Sequence, residues 1–236
     1  TYLLYGAIGV MAAVQFLRIW QINGHVFQRP VPAFDRYPFK QVALLNLVYM
    51  ASFGSELAVV SMLPLYFLDT FDISPMLAGM LGGSFALMNL FGRPGGGYLA
   101  DRYGRKLITI LMLAGIAVGY FFMARIDSSW PLPLAVTLVV LCSIFVQGGC
   151  GAVYASVPLV KRRLTGQVAG MAGAYGNVGG VVFLVVLALV PSDQFFLVLG
   201  AIALAIMSLV MIFMDEPDPQ TSEVMPDGSV RMIDVT

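Results

Sequence analysis

The stretch GGSFALMNLFGRPGGGYLADRYGRK (Gly82–Lys106) opens as an apolar run and carries one arginine, Arg93, inside it. It crowds glycines around that arginine and closes on the charged run Asp101-Arg102-Tyr103-Gly104-Arg105-Lys106. In a helix, the eight residues from Arg93 to Asp101 span roughly 12 Å, which places Arg93 close to the middle of a hydrocarbon layer about 30 Å thick. A guanidinium at that depth costs roughly 3 kcal/mol on insertion scales, so it needs a partner or a function.

The rest of the chain agrees with a membrane setting. Of its 236 residues 59% are hydrophobic and only 11% are charged, and the mean hydropathy is +0.86. A soluble domain carries about 25% charged residues, so this chain has too few to cover its surface in water. It reads as an all-α integral membrane protein. Thirteen basic and thirteen acidic residues cancel, which gives no support to nucleic-acid binding. Membrane lipid is the expected surrounding partner.

Apolar runs long enough to cross the layer fall at 2–17, 41–68, 75–99, 107–125, 132–156, 167–190 and 195–214. The chain begins inside such a run, with no basic flank or cleavage pattern before it, which reads as a fragment beginning within a transmembrane helix. Alternate loops differ sharply in charge. One side collects Arg18, Arg29, Arg36, Lys40, Arg102, Arg105, Lys106, Lys161, Arg162 and Arg163, and the other holds Arg125. That asymmetry puts the basic loops and the C-terminus in the cytoplasm. The domains expected are a helix at 1–17, a cytoplasmic linker at 18–40, a six-helix bundle at 41–214 and a disordered cytoplasmic tail at 215–236, acidic and proline-containing.

Two readings of Arg93 stay open on the residues alone: an ion pair with Glu56, the carboxylate inside a neighbouring span, or a site for a small anion. A guanidinium suits the second because it stays charged and offers a planar fork of donors. Gly92 and Gly96 form a G-x-x-x-G step at which helices approach closely, and Pro94 invites a kink. A second glycine-rich stretch, GQVAGMAGAYGNVGG (Gly166–Gly180), bares much of one helix face through Gly173, Gly176, Gly179 and Gly180. Tyr49, Phe53 and Glu56 share a face, where core packing and ligand contact are both compatible with the spacing. Asn177 offers an amide either to a ligand or to a neighbouring helix. Cys142 and Cys150 lie in one apolar run and read as packing residues, and His25 is given no role. Neither a nucleophile with a histidine partner, nor a metal cluster, nor a phosphate loop is present, so an enzyme is not expected, and no metal or cofactor is implied.

Gly97, Asp101, Arg102, Gly104, Arg105 and Lys106 have the form G-x-x-x-D-R-x-G-R-K. In that motif the chain resembles the major facilitator superfamily. Gly173-Ala174-Tyr175-Gly176-Asn177-Val178-Gly179-Gly180 is similar to the second nitrate signature of its nitrate/nitrite porter family, and Phe91-Gly92-Arg93-Pro94-Gly95-Gly96 is similar to that family's arginine-bearing helix.

The resemblance implies the C-terminal six-helix bundle of a bacterial or cyanobacterial nitrate transporter, preceded by the last helix of its N-terminal half. It implies that Arg93, Tyr49, Phe53, Gly176 and Asn177 line a nitrate or nitrite site, and that the Gly97–Lys106 motif acts as a conformational latch. The other half of the bundle, with a second arginine, would be the missing partner. Alternating access in an inner (plasma) membrane, by symport or antiport, would follow. Glu56, which not every family member matches with an acid, is by itself, as a carboxylate inside a span, a candidate for proton coupling or for pairing with Arg93. A transporter of another small anion or drug, and a non-transporting membrane anion sensor or defective half, are the competing readings.

Overall fold

The computed structural model describes residues 2–24, 35–216, 220–224 and 229–234. Residues 25–34 of the 18–40 linker, His25 among them, lie outside them. Among the described residues, seven helices are long and apolar enough to cross a membrane: Tyr2–Asn23, Phe39–Phe71, Pro75–Tyr103, Arg105–Met123, Leu132–Val160, Arg162–Leu189 and Ser192–Phe213. The chain divides into two units, Thr1–Arg36 and Tyr37–Thr236.

The first unit contains α1 (Tyr2–Asn23). It runs on to Asn23, where the sequence reading ends the span at Leu17. Loss of hydropathy at Arg18 marks the end of the apolar stretch, but Arg18, Trp20 and Gln21 are all compatible with helix, and Asn23 Nδ2 donates back to the Ile19 carbonyl at 3.0 Å.

In the second unit, α2 (Phe39–Tyr49) passes through a π-helical segment, Met50–Gly54, into α3 (Ser55–Phe71). Asp72, at φ 49°, turns the chain in a left-handed conformation. Ser74 then caps α4 (Pro75–Leu87), accepting from the Leu77 N–H at 3.3 Å, with Pro75 in the first turn where its missing N–H is harmless. The helix breaks at Met88 and resumes as α5 (Asn89–Tyr103). Pro94 lies just beyond the break and deprives the Leu90 carbonyl of its partner. Gly104, at φ 102°, separates α5 from α6 (Arg105–Met123) in a conformation that side chains rarely adopt. The bundle is completed by α7 (Leu132–Val160), α8 (Thr165–Leu189) and α9 (Ser192–Phe213).

The helices meet over small residues. A Cβ built on Gly96 would collide with the Gly148 carbonyl, one on Gly151 with the Arg93 carbonyl, and one on Gly92 would stand 2.5 Å from the Gln147 Cβ. The α5–α7 seam is therefore largely backbone against backbone. On the other side of the bundle, Gly54 lies against Gly179 and Gly180 of α8. Large aromatic side chains fill the remaining interior: Phe67, Phe85, Tyr120, Phe183, Phe195 and Phe196 are fully buried. Cys142 and Cys150 are free thiols, also buried, the first of them packed against Gly119.

The tail differs from its expectation. Gln220–Val224 pairs antiparallel with Val230–Asp234, Val224 opposite Val230 and Gln220 opposite Asp234, so the region after Asp215 is not without regular structure. Acidic composition concealed two short runs containing the strand formers Thr221, Val224, Val230 and Ile233, separated by the turn-type residues Pro226, Asp227 and Gly228.

Candidate functional site

Arg93 projects from α5 one turn beyond Asn89, toward the first turn of α3. Its Nη2 donates to Glu56 Oε2 at 2.9 Å. Asn89 Nδ2 reaches the other carboxylate oxygen at 3.4 Å. Arg93 Nε donates to Gln147 Oε1 of α7 at 3.2 Å. The guanidinium carbon lies 5.4 Å from the centroid of the Phe53 ring, within range of a cation–π contact. Nη1 has no hydrogen-bond partner among the described residues. The Glu56 side chain is 9% exposed and that of Arg93 is 30% exposed. The pair is thus closed on the carboxylate side and open on the guanidinium side.

Aromatic rings form one wall. Tyr49 stacks on Phe53, with centroids 5.1 Å apart and planes at 15°, and Tyr154 of α7 meets the Tyr49 ring edge-on at 5.2 Å. Gly176 of α8 supplies the space for this stack. A Cβ there would come within 2.6 Å of Tyr49 and 2.8 Å of Phe53. Phe53 belongs to the π-helical segment, a wide turn of a kind concentrated at functional sites, and hydropathy patterning gives no sign of it.

The structure thus brings together Arg93, Glu56, Tyr49, Phe53 and Gly176. Asn177 is exposed and donates to the Gly173 carbonyl of its own helix at 2.8 Å. Its amide nitrogen is engaged within α8 instead of between helices, and no contact joins it to Arg93 among the described residues. The glycines divide in the same way. Gly92, Gly96, Gly179 and Gly180 are pressed against neighbours, whereas a Cβ on Gly173 would meet the Tyr154 hydroxyl at an ordinary 3.8 Å. Sequence reasoning passed over Gln147 and Asn89, although polar side chains inside apolar spans are themselves a signal. Gln147 is fully buried, and its Nε2 has no hydrogen-bond partner among the described residues.

The Gly97–Lys106 motif lies at the far end of α5. Asp101 Oδ1 accepts from Arg105 Nη2 at 2.9 Å, and Arg105 Nε donates to the Ala155 carbonyl of α7 at 3.3 Å. Arg102 donates to the Tyr98 hydroxyl at 2.9 Å, and Gly97 faces Gly151. Beyond Gly104, the first amides of α6 have no partners within the helix. Glu216, three residues past the end of α9, accepts from the Arg105 N–H at 2.6 Å and from the Lys106 N–H at 2.8 Å. Its neighbour Asp215 binds Lys40 at 2.9 Å and Gln41 at 2.6 Å at the start of α2. Hydrogen bonding to Lys40 holds the Asp215 carboxyl below the usual carboxylate range.

At the opposite end of the bundle a cavity of about 710 Å³ lies between Tyr66, Asp69, Asp127 and Asp193. The side chain and backbone of Ser129 donate to Asp127 and depress its pKa. This acidic lining disfavours an anion.

Helices long and apolar enough to span, packed glycine on glycine, fit a multi-pass membrane protein. A family model described as Major Facilitator Superfamily matches residues 1–184 and 45–229, and the chain belongs to that superfamily. The match to transporters agrees with the expectation of a non-enzyme. The chain is 39% identical over 219 residues to a protein named nitrate/nitrite transporter NrtP from Nostoc punctiforme, covering 92% of this chain and 44% of the relative. It is 42% identical over 242 residues to the protein of the same name from a Picosynechococcus species, covering 92% and 45%. A rice protein named high-affinity nitrate transporter 2.3 is 39% identical over 147 residues, 58% of this chain and 28% of the relative. These relatives agree with the nitrate/nitrite porter resemblance, and the chain spans less than half the length of each. The fold is similar to the E. coli xylose transporter XylE in a partially occluded inward-open conformation, with a TM-score of 0.63 at 18% identity, covering 77% of this chain and 51% of that one.

Proposed function

We propose that this chain is the C-terminal half of a nitrate/nitrite transporter and supplies one wall of its anion site. The observation that carries the reading is the half-open guanidinium of Arg93: Nη1 unpartnered, Nε fixed by Gln147 and an aromatic ring at its face. Nitrate is planar, singly charged and a multiple acceptor, which matches an arginine fork flanked by a flat ring. Identity of 39–42% to proteins named as nitrate/nitrite transporters supports the same substrate.

In this reading α1 is the last helix of the N-terminal half, and 18–40 is the linker between halves. The anion is held at the midplane between this bundle and its N-terminal partner. Alternating access then exposes it to each side of the plasma membrane in turn, with the basic loops and the C-terminus in the cytoplasm. The Gly97–Lys106 motif, tied to α7 through Arg105, serves as the cytoplasmic latch. Asn177, exposed on α8, contributes to the site from the side facing the other half.

The test is nitrate uptake by the complete two-half transporter carrying Arg93→Lys. Lysine keeps the charge and loses the fork, so uptake should fall at least tenfold; near-normal uptake by a variant present at normal levels refutes the reading.

A further inference from the structure

We infer that the Tyr154 ring gates the anion site on the side of the Gly97–Lys106 motif, and that it moves on a proline hinge in α7 held by Arg105. This rests on the anion site and the latch proposed above, and Tyr154 is the element that joins them.

A row of contacts leads away from Arg93. Its guanidinium carbon lies 5.4 Å from the centroid of the Phe53 ring, Phe53 stacks on Tyr49 at 5.1 Å, and Tyr154 meets Tyr49 edge-on at 5.2 Å. Tyr49 is 4% exposed and Tyr154 is 41% exposed, so the row ends on a ring with a free face. Tyr154 follows Gln147 by two turns on the same face of α7. Gln147 is bonded to Arg93. Tyr154 is therefore roughly 10 Å closer to the end of the bundle at which Arg105 meets α7. An anion leaving Arg93 toward that end passes this ring.

The backbone under the ring is free to bend. Gly151, whose Cβ would collide with the Arg93 carbonyl, is the last glycine of the α5–α7 seam, and Tyr154 lies about one turn beyond it. Pro158 stands inside the helix a further turn on and has no N–H, so the Tyr154 carbonyl lacks its helical partner. The adjacent carbonyl, that of Ala155, accepts from Arg105 Nε at 3.3 Å, and Arg105 Nη2 is held by Asp101 at 2.9 Å. The motif arginine thus grips α7 at its weakened turn, beside Tyr154. When Arg105 lets go, that turn bends and carries the ring with it.

The neighbouring helix leaves room for the movement. A Cβ on Gly176 would press on Tyr49 and Phe53, one on Gly179 on Met50 and one on Gly180 on Leu57. A Cβ on Gly173 would have only the Tyr154 hydroxyl within 4 Å, at 3.8 Å. Packing does not require a glycine at that position. A moving tyrosine does, because a long side chain there would stand in the path of the hydroxyl.

The test uses the complete transporter and nitrate itself. Gly173→Leu should lower the maximal uptake rate about tenfold and leave the nitrate Kd unchanged. Adding Tyr154→Ala should restore transport, because it removes the ring that the leucine blocks. Normal uptake by Gly173→Leu, a Kd that weakens along with the rate, or no restoration by the second substitution overturns the inference. A second measurement needs no bulky side chain, so the inference stays testable if Gly173→Leu fails to fold. Labelling of Tyr154→Cys by a membrane-impermeant maleimide should change about threefold when nitrate is added, and Arg105→Ala should abolish that dependence. Cys142 and Cys150 are buried and do not compete. A labelling rate indifferent to nitrate overturns the inference. Absence of nitrate counterflow in the wild-type protein overturns the nitrate reading as well, whereas counterflow with any of the failures above overturns the gate alone.

Discussion

Gln147 accepts a hydrogen bond from Arg93 Nε at 3.2 Å, across a helix seam at which Gly92 lies directly against its Cβ. Two residues 54 positions apart thus share one half-buried polar contact. Gln147→Leu keeps the volume and removes the acceptor, leaving the guanidinium free to rotate. The apparent Km for nitrate should rise about tenfold, the loss of one hydrogen bond to a charged group. Gln147→Glu places a second carboxylate on the guanidinium and should depress transport further. Uptake kinetics of the two variants in the complete transporter distinguish positioning from simple packing, which would affect both equally.

Glycines of one stretch should differ in tolerance. Gly95→Ala meets nothing within 4 Å, and helix propensity makes it neutral or stabilising by up to about 1 kcal/mol. Gly96→Ala drives a methyl group into the Gly148 carbonyl and should destabilise by about 3 kcal/mol. Thermal melts of the two purified variants check the contrast. A similar loss in both would show that the seam is not where the clash predicts.

Gly176→Ala requires the Tyr49 and Phe53 rings to move, because its methyl group would come within 2.8 Å of both. Since Phe53 faces Arg93 at 5.4 Å, nitrate transport should fall more steeply than thermal stability. Uptake measured alongside the melt tests this, and a variant with full uptake would remove the aromatic stack from the site.

Glu216→Ala removes the acceptor of the first two amides of α6. Loss of a helix cap costs about 1 kcal/mol. Hydrogen exchange at Arg105 and Lys106 should accelerate about fivefold, with the amides of α7 unaffected.

The Asp215 contact has a defined pH dependence. Its folded-state pKa is depressed, chiefly by the hydrogen bond from Lys40, so any stabilisation is present above the ordinary carboxylate pKa of about 3.9 and is lost as the pH falls through the lower folded-state value. The contact is therefore intact at neutral pH. Carboxyl-carbon NMR should place the Asp215 midpoint below that of a free aspartate, and Lys40→Ala should raise it.

Much of the bundle was legible in the sequence because hydrocarbon imposes one demand on every span, a long apolar run, and the runs at 75–99 and 132–156 stand inside the helices found. Helix ends were less legible. Polar residues such as Arg18 and Lys161 mark where the apolar layer stops, while backbone hydrogen bonding decides where a helix stops. Arg93 stood out by its cost at mid-span, and Glu56 by the same logic. Gln147 and Asn89 are uncharged and drew no notice. The π-helical turn at Met50–Gly54 and the role of Glu216 depend on tertiary contacts, with Gly179 and with the α6 amides, that a one-dimensional pattern does not encode.

The α5–α7 seam has a mechanical corollary. Contacts between long side chains can slip by changing rotamers, but a carbonyl seated against a glycine, as at Gly96–Gly148 and Arg93–Gly151, has no rotamer to change. The two helices behave as a single plank. Arg93 and Gln147 sit on the same plank, while Glu56 approaches from a different one. In the transport cycle proposed above, tilting of the planks would keep the length of the Arg93–Gln147 bond constant and open the gap to Glu56, which makes that gap the gauge of the proposed cycle.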